Sequence, residues 1–368
     1  MVPRVPLNDL VRQNLTIRDD LVASASRVID RGWFVLGSEG SQFETAFAGY
    51  CGAAHAIGLA NGTDAIEIAL RAVGVKAGDA VVTVANAGFY SSTAIHAIGA
   101  LPVYVDVDAT THLMEVEALR RALATQSISA VVVTHLYGRL ADVEAIVALC
   151  DPKGIAVIED CAQAHGAQRN GRRAGSFAKA GCFSFYPTKN LGALGDGGAI
   201  TTNDAAIAAD LRELRQYGWD RKYRVNRAGG RNSRLDEIQA ALLLTKLPRL
   251  DAWNEERRSI ARRYASGITH PAIQCPRDFG LDDVVHLFVV RCKDRDRFRQ
   301  HLDVNGIASD IHYPIPDHRQ PAYAERTNGV SEMLTETERL AGEIVTIPCF
   351  NGMDEREIER VIAVANSW

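Results

Sequence analysis

The chain has 368 residues, a length that allows a large hydrophobic core and predicts two domains. Hydrophobic residues make up 47% and charged residues 23% of the sequence, which is typical of a soluble globular protein. The formal net charge of −4 comes from acidic and basic residues mixed along the chain, without a basic block or an acidic tail. This pattern argues against a nucleic-acid-binding protein and against a disordered one.

Targeting and redox signals point to the cytoplasm. The first ten residues lack the apolar core of a signal peptide, and no apolar run is long enough to span a bilayer. The seven cysteines are scattered, without a Cys-x-x-Cys pair, as expected for buried thiols in a reducing compartment. The sequence therefore predicts a cytoplasmic protein with no membrane partner and no metal site.

A predicted anion site lies near the start of the chain. After a helix over residues 18–31, the strand pattern 56–60 runs into Asn61-Gly62-Thr63-Asp64 and an amphipathic helix over 65–73. A strand, a small polar turn and a helix leave free amides at the helix start, where an anion binds. The simpler alternative is an ordinary helix cap by Thr63 or Asp64.

The next strands predict the fold class. Valine-rich patterns at 81–84, 102–107 and 130–135 are separated by helical patterns, which indicates an α/β fold with a mostly parallel sheet covered on both faces. Phe89 follows the first of these strands, where an aromatic ring can stack on a flat ligand, although core packing is the alternative. His135 ends the third, and we expect it to be a hydrogen-bonded structural histidine.

Residues 155–166 form an apolar strand that ends in Glu159-Asp160, with Gln163 and His165 just beyond. In open α/β sheets, ligands bind at the carboxyl ends of the strands, so Asp160 is a candidate ligand contact. A cap for the following helix is the structural alternative for Asp160.

Residues 181–198 present a single lysine, Lys189, in a glycine-rich loop between two strand patterns. Apolar neighbours desolvate an ammonium group, lower its pKa and make the amine a usable nucleophile, whereas an ordinary loop lysine is simply solvated. A lysine that faces Asp160 across a cofactor is the pairing that pyridoxal phosphate (PLP) requires. The lysine attaches the cofactor, and the aspartate keeps the pyridine nitrogen protonated.

The C-terminal part has two segments of functional interest. Residues 218–232 form a long polar loop, which we expect to be ordered and to reach into a second subunit. Pro248 marks a boundary between a large domain, 1–249, and a smaller α+β domain, 250–368. Residues 312–323 contain three prolines, two histidines and two tyrosines, which suits a loop over a polar ligand, while a solvated connector is the alternative.

Four motifs in this order resemble the DegT/DnrJ/EryC1/StrS family of sugar aminotransferases, and the resemblance covers nearly the whole chain. The motifs are the segments 61–64, 159–166, 184–192 and 232–241. The family consists of PLP enzymes with the aspartate aminotransferase fold (fold type I). The resemblance therefore implies a large domain with a mostly parallel seven-stranded sheet and a smaller C-terminal α+β domain.

The resemblance also implies roles for individual residues. Lys189 would bind PLP covalently, and Asp160 would pair with the pyridinium nitrogen. Gln163 would approach the ring hydroxyl, and Phe89 would stack on the ring face. The phosphate would be held by Gly62, Thr63 and Ser184 together with Asn232 of the partner subunit, in a homodimer with shared active sites.

The segment 312–316 looks most like the branch that acts on 3-keto nucleotide sugars. The implied substrate contacts are Tyr186, His312, Tyr313, His318 and, through a nucleotide phosphate, Lys222 of the partner subunit. The implied reaction moves an amino group from L-glutamate to a keto group, expected at C3, of a nucleoside-diphosphate-linked keto-deoxysugar. The product would be an amino sugar for a surface polysaccharide or a secondary metabolite.

Three departures and three alternatives remain. Thr188, Leu194 and Asp317 replace the residues that are common in the family, and they leave the choice of substrate open. The alternatives are a C4 aminotransferase, a PLP-dependent dehydratase of the same family, and a non-catalytic regulatory protein that binds PLP or a nucleotide sugar. The dehydratases carry histidine at the lysine position, so Lys189 argues against that alternative.

Overall fold

A computed structural model of the chain describes residues 4–326 and 333–368. The helices are α1 (Leu10–Leu15), α2 (Arg18–Arg31), α3 (Ser38–Cys51), α4 (Gly62–Ala72), α5 (Tyr90–Ala97), α6 (Val116–Thr125), α7 (Val143–Cys150), α8 (Ala205–Leu214), α9 (Glu237–Lys246), α10 (Leu250–Gly267), α11 (Arg295–Val304), α12 (Thr335–Glu343) and α13 (Glu355–Asn366). The strands are β1 (His55–Leu59), β2 (Ala80–Val84), β3 (Leu101–Val105), β4 (Ala130–Thr134), β5 (Ala156–Asp160), β6 (Gln168–Arg169), β7 (Arg172–Arg173), β8 (Ala180–Ser184), β9 (Gly198–Thr202), β10 (Trp219–Arg221), β11 (Arg224–Val225), β12 (Phe288–Arg291) and β13 (Ile344–Ile347).

A seven-stranded sheet forms the centre of the molecule, in the order β1-β9-β8-β5-β4-β2-β3. Strand β9 is antiparallel to both of its neighbours, and the other pairs are parallel. The predicted mostly parallel sheet is therefore confirmed. Because the parallel strands end at the same edge, the turns after β1, β2, β4, β5 and β8 meet there.

Alternating side chains of the strands build a core on each face of this sheet. In β4, Val131 and Val133 pack in one buried cluster, while Ala130 and Val132 pack in another. Successive residues of a strand point to opposite faces, so a nearly continuous apolar strand serves both cores. Helix α3 covers the first face, and helix α4 covers the second.

A separate buried cluster lies in the C-terminal part. It contains residues of α10, α11 and α13 and of the antiparallel pair β12–β13. Val5 also packs in this cluster, so the start of the chain contacts the C-terminal unit. The domain boundary near residue 250 stays a prediction.

Two predicted elements of the chain differ in the structure. Residues 307–311 do not form a strand, because only single bridges link Ile307 to Val5 and Asp310 to Thr346. The loop 218–232 contains the short antiparallel pair β10–β11. Within the described ranges, no helix has the length and apolar character needed to cross a membrane.

A buried glutamate fixes the neighbourhood of β5. Glu159 is fully buried, and its carboxylate accepts hydrogen bonds from the backbone N–H groups of Gly175, Phe177 and Ala178 at 2.8–3.0 Å. The His135 ring accepts the Ala141 N–H at Nδ1, so its Nε2–H donates to Glu159 at 3.1 Å. The expected structural role of His135 is confirmed. These four bonds saturate the carboxylate, which leaves no lone pairs for a metal ion.

We expect Glu159→Gln to lower the free energy of unfolding of the cofactor-free protein by about 2 kcal/mol. An amide places N–H donors against backbone N–H groups that need acceptors. Urea unfolding measures the change, and Glu117→Gln on the exposed face of α6 is the control, expected within about 0.5 kcal/mol of the wild type. Equal stability of both variants would contradict this role for Glu159.

Candidate active site

One cavity of about 640 Å³ opens at the carboxyl edge of the sheet. Nine of the predicted site residues line it, namely Gly62, Thr63, Asp160, Gln163, Ser184, Tyr186, Lys189, His312 and Tyr313. They come from the turns after β1, β5 and β8 and from the segment before the turn at 317–319. The fold thus brings together residues that are up to 251 positions apart, from Gly62 to Tyr313.

One end of the cavity is suited to a phosphate group. Asn61 caps α4 by accepting the Asp64 N–H at 2.8 Å, so the amides of Gly62 and Thr63 at the helix start remain free for an anion. A Cβ atom on Gly62 would lie 2.7 Å from the Cβ of Ser184. Only glycine at this position lets the helix start approach β8 this closely. The cradle that PLP needs for its phosphate is therefore present.

Asp160 lies at the end of β5, beside the end of β8. One carboxylate oxygen accepts the Ala162 N–H at 3.1 Å, and the other faces the hydroxyls of Ser91 and Thr134 at 3.4 Å each. Burial raises the pKa of Asp160, while the Ala162 N–H and the positive charge of Lys189 oppose the shift. A cationic ring nitrogen beside this carboxyl would favour its ionised form.

Lys189 lies in the loop after β8, and its backbone N–H donates to the carbonyl of Tyr186 at 2.8 Å. Burial lowers the pKa of Lys189 to about 8, and the negative charge of Asp160 opposes this shift. A lysine with this pKa carries a substantial free-amine fraction near neutral pH, as a nucleophile or a general base must.

Sequence reasoning missed the buried polar group behind Lys189. The Asn190 amide nitrogen donates to Asn254 Oδ1 at 2.8 Å and to the Val284 carbonyl at 2.9 Å. Asn190 Oδ1 must therefore accept, and its partner is His286 Nδ1 at 3.0 Å. This arrangement puts the proton of the imidazole on Nδ1 and leaves Nε2 bare. His286 lines the cavity, and burial lowers its pKa well below the usual value. A lone polar residue in the apolar run 284–290 was the available signal.

The segment 312–316 covers the cavity. His312 Nδ1 and the Thr346 hydroxyl are 2.8 Å apart, and the His312 carbonyl accepts the Tyr137 hydroxyl. Gln163 Nε2 donates to the Tyr313 hydroxyl at 3.1 Å, while Gln163 Oε1 accepts the Tyr137 N–H at 2.6 Å. Gln163 is thus held between the sheet edge and this covering segment.

Phe89 and His318 do not line the cavity, so the structure does not bring these two predicted site residues together with the others. The Phe89 backbone is left-handed (φ 69°), and its ring lies 4.9 Å from the Tyr323 ring, so it is turned away from a ligand. Tyr90, the next residue, lines the cavity instead. His318 is buried, and its Nε2 is 2.9 Å from Glu338 Oε1.

Lys222 and Asn232 lie outside the cavity of their own chain. Both residues are exposed, and the Lys222 amine lies 5.0 Å from the centre of the Tyr223 ring. The loop returns to its own chain, because Arg231 pairs with Glu67 at 2.8 Å. The assignment of Lys222 and Asn232 to the site of a partner subunit stays a prediction.

Comparisons with known proteins agree with this geometry. The family model of the DegT/DnrJ/EryC1/StrS aminotransferases matches residues 15–365. The dTDP-3-amino-3,6-dideoxy-alpha-D-galactopyranose transaminase of Aneurinibacillus thermoaerophilus is 44% identical over 367 residues, 99% of each chain. The erythromycin biosynthesis sensory transduction protein EryC1 of Saccharopolyspora erythraea is 40% identical over 361 residues, 98% of each chain. The crystal structure of S. venezuelae DesV in complex with a ketimine intermediate superposes with a TM-score of 0.95 at 40% identity, covering 100% of this chain and 99% of that one.

The chain belongs to the DegT/DnrJ/EryC1/StrS aminotransferase family. The predicted fold, with its mostly parallel sheet, is that of the solved aminotransferases of this family. The expected cofactor, PLP, and the expected activity, amino-group transfer, are confirmed at the level of the family.

We expect His286 to be a neutral imidazole with its proton on Nδ1 throughout the neutral pH range. The ¹⁵N chemical shifts of a histidine-labelled protein identify the tautomer, and His286→Gln assigns the signal. In Asn190→Ala the preference for the Nδ1–H form should weaken, because the acceptor of that proton is lost. A charged His286, or an Nε2–H tautomer in the wild type, would contradict the hydrogen-bond assignment.

Proposed function

We propose that this PLP-dependent aminotransferase moves an amino group from L-glutamate to the C3 keto group of a nucleoside-diphosphate-linked keto-deoxysugar. The observation that carries the proposal is that Asp160, at the end of β5, and Lys189, in the loop after the adjacent strand β8, line one cavity with an anion cradle. Support for C3 comes from the Aneurinibacillus relative, which is named a transaminase of a 3-amino sugar. The product would be an amino sugar for a surface polysaccharide or a secondary metabolite.

The residues of the cavity fit PLP. The free amides of Gly62 and Thr63 would bind the phosphate together with the Ser184 hydroxyl, and Asp160 would hold the proton of the ring nitrogen. Gln163 is placed to donate to the ring hydroxyl, in exchange for its bond to Tyr313. When bound, PLP supplies an electron sink that stabilises negative charge at the Cα of an amino substrate.

Lys189 would do the proton-transfer work. Its amine would remove the Cα proton of glutamate, and in the reverse direction its ammonium would return a proton to the sugar carbon that receives the nitrogen. A pKa near 8 suits both directions, because the free and the protonated amine are then both populated near neutral pH. The apolar lining provided by Leu136, Leu287 and Ile347 excludes water from the reacting atoms.

The sugar would lie beneath the covering segment. His312 and Tyr313 line the cavity, and Tyr186 is half-exposed at its mouth, so all three side chains reach a ligand that enters from outside. Lys222 of the partner subunit would contact a nucleotide phosphate, since a mobile ammonium suits a diphosphate.

We propose a homodimer, in which Asn232 of the partner subunit completes the phosphate site. Exposed aromatic and aliphatic side chains gather around the start of α9 in the single chain. Trp33 and Phe34 are 60% and 49% exposed beside it, and Leu194, whose N–H donates to Gln239, is 51% exposed. An apolar surface of this kind is typical of a subunit interface. The cytoplasmic location and the domain boundary near residue 250 are parts of the same proposal.

A regulatory role is the second candidate, because EryC1 is named a sensory transduction protein although it matches the chain at full length. The Aneurinibacillus relative, which is named a transaminase and is 44% identical over 99% of each chain, favours an enzyme. The C4 aminotransferase is the alternative within the enzyme class. The 3-amino product in the name of the Aneurinibacillus relative speaks against it.

The test is incubation of the PLP-loaded protein with L-glutamate and a panel of 3-keto and 4-keto nucleotide sugars, with mass spectrometry of the products. We expect amination of a 3-keto sugar. Lys189→Ala should lower turnover by at least roughly a thousandfold, because general acid–base and covalent contributions disappear together. Lys179→Ala, an exposed lysine near β8, is the matched control and should keep wild-type turnover. Cofactor binding without amination of any sugar would favour the regulatory role.

A further inference from the structure

Asp317 is a buried carboxylate that fastens the covering segment to the rest of the molecule. Asp317 is only 1% exposed, and it begins the 3₁₀ turn Asp317–Arg319. One oxygen accepts the Phe89 N–H at 2.9 Å, and the other accepts the Ser92 hydroxyl at 2.6 Å. Its own N–H donates to the Ala85 carbonyl at 2.7 Å. Three hydrogen bonds thus join one residue to the β2–α5 turn.

The β2–α5 turn contributes directly to the cavity. Ala87 and Tyr90 line it. Phe89, which lies between them in the sequence, has a left-handed backbone, and this conformation is unfavourable for a residue with a large side chain. The bond from the Phe89 N–H to Asp317 stabilises this conformation. The same bond therefore holds Tyr90 at the cavity and keeps the Phe89 ring turned away from it.

Tyr313 lies directly against this turn. A Cβ atom on Gly88 would lie 2.9 Å from the Tyr313 ring, and the rings of Tyr90 and Tyr313 make an edge contact at 6.0 Å. Pro314 and Pro316 are two of the three residues between Tyr313 and Asp317, and they stiffen this segment because proline fixes its φ angle. A shift of Asp317 would therefore also move Tyr313.

Burial of this carboxylate is unfavourable in itself. Its two partners, an amide and a hydroxyl, carry no countercharge, and burial raises the pKa of Asp317 to about 7. An apolar residue would fill such a site at a lower desolvation cost. An apolar side chain, however, could not accept the two hydrogen bonds that the Asp317 carboxylate accepts.

We propose that Asp317 is a positioning residue, which sets the place of Tyr313 and His312 over the sugar site by fastening residues 312–317 to the β2–α5 turn. It acts through the covering segment and does not touch the substrate. The inference rests on the proposed function, because it takes the cavity under this segment to be the sugar site. It implies that Asp317 determines how tightly the sugar substrate binds, more than it determines the chemistry at Lys189.

The experiment compares Asp317→Leu and Asp317→Asn with Asp310→Asn. Leucine removes both acceptor bonds, whereas asparagine keeps one oxygen for the Phe89 N–H. Asp310 is an exposed carboxylate of the same stretch that accepts the N–H of the next residue, Ile311, so its variant is the matched control. Each protein is loaded with PLP and assayed separately with glutamate and with the keto sugar.

For Asp317→Leu we expect the KM of the nucleotide sugar to rise roughly tenfold, the size of effect of one lost charge-assisted hydrogen bond. The half-reaction with glutamate and the visible absorption of the bound cofactor should stay near the wild-type values. Asp317→Asn should show a smaller rise, and Asp310→Asn none. A sugar KM that is unchanged in Asp317→Leu, or a loss of cofactor absorption equal to the loss of sugar binding, would overturn the proposal.

The pH dependence of the sugar KM separates the role of the carboxylate from a simple loss of packing, because lost packing would not change with pH in this range. Only the ionised carboxylate accepts both bonds, so the wild-type sugar KM should rise as the pH falls through about 7, and this limb should be absent in Asp317→Asn. An identical limb in Asp317→Asn would contradict the role of this carboxylate. The titratable groups around it that do not change between the two proteins are Tyr104, Tyr323, His96, His318 and Arg319.

Hydrogen exchange keeps the inference testable if Asp317→Leu fails to fold or if no sugar is aminated. In folded Asp317→Asn, the amides of residues 85–92 and 312–319 should exchange faster together, and those of Asp310→Asn should not. If the amides of both segments exchange as slowly as in the wild type, the inference is refuted and the proposed function is not affected. Faster exchange in a protein that aminates no sugar leaves the fastening intact and refutes the proposed function.

Discussion

The electrostatic attraction between one buried amine and one buried carboxyl is the interaction on which the rest of the site depends. Asp160 ends β5, and Lys189 lies in the loop that follows the adjacent parallel strand β8, so the sheet brings both residues to the same edge. Burial works against the charged form of each, lowering the pKa of the lysine and raising that of the aspartate, while each charge favours the other. A flat cationic ring between them would satisfy the carboxyl and leave the amine free to react.

The surrounding structure keeps this pair in place with hydrogen bonds to the residues next to each of them. Glu159, next to Asp160, is saturated by backbone N–H groups and His135, which anchors the end of β5. Asn190, next to Lys189, is saturated by Asn254, Val284 and His286. Asp160 therefore directly follows a residue with a fixed side chain, and Lys189 directly precedes one. These hydrogen bonds fix the side chains on either side of the reacting groups and so hold the end of β5 and the loop after β8 in place.

Local patterns were sufficient to predict the strands of the central sheet and the turns that carry Gly62, Asp160 and Lys189, because each depends on a strand followed by a turn. Contacts across the fold were beyond such reasoning. The bare nitrogen of His286 depends on Asn190, 96 positions earlier, and the partners of Asp317 are more than 220 positions away. The stacking role of Phe89 is implied by the family resemblance, and its position after a strand leaves core packing open. In the structure the Phe89 backbone is left-handed and its N–H donates to the distant Asp317, while Tyr90 lines the cavity.

The most direct test of the account is to identify the lysine that holds PLP. The protein is loaded with PLP, reduced with borohydride, digested and analysed by mass spectrometry. Lys246 is a stringent internal competitor, since it is also buried and its pKa is also lowered to about 8, but its amine donates to the Gly192 carbonyl away from Asp160. The account predicts a phosphopyridoxyl group on the peptide with Lys189 and none on the peptide with Lys246. A label on Lys246, or none on Lys189, would contradict it.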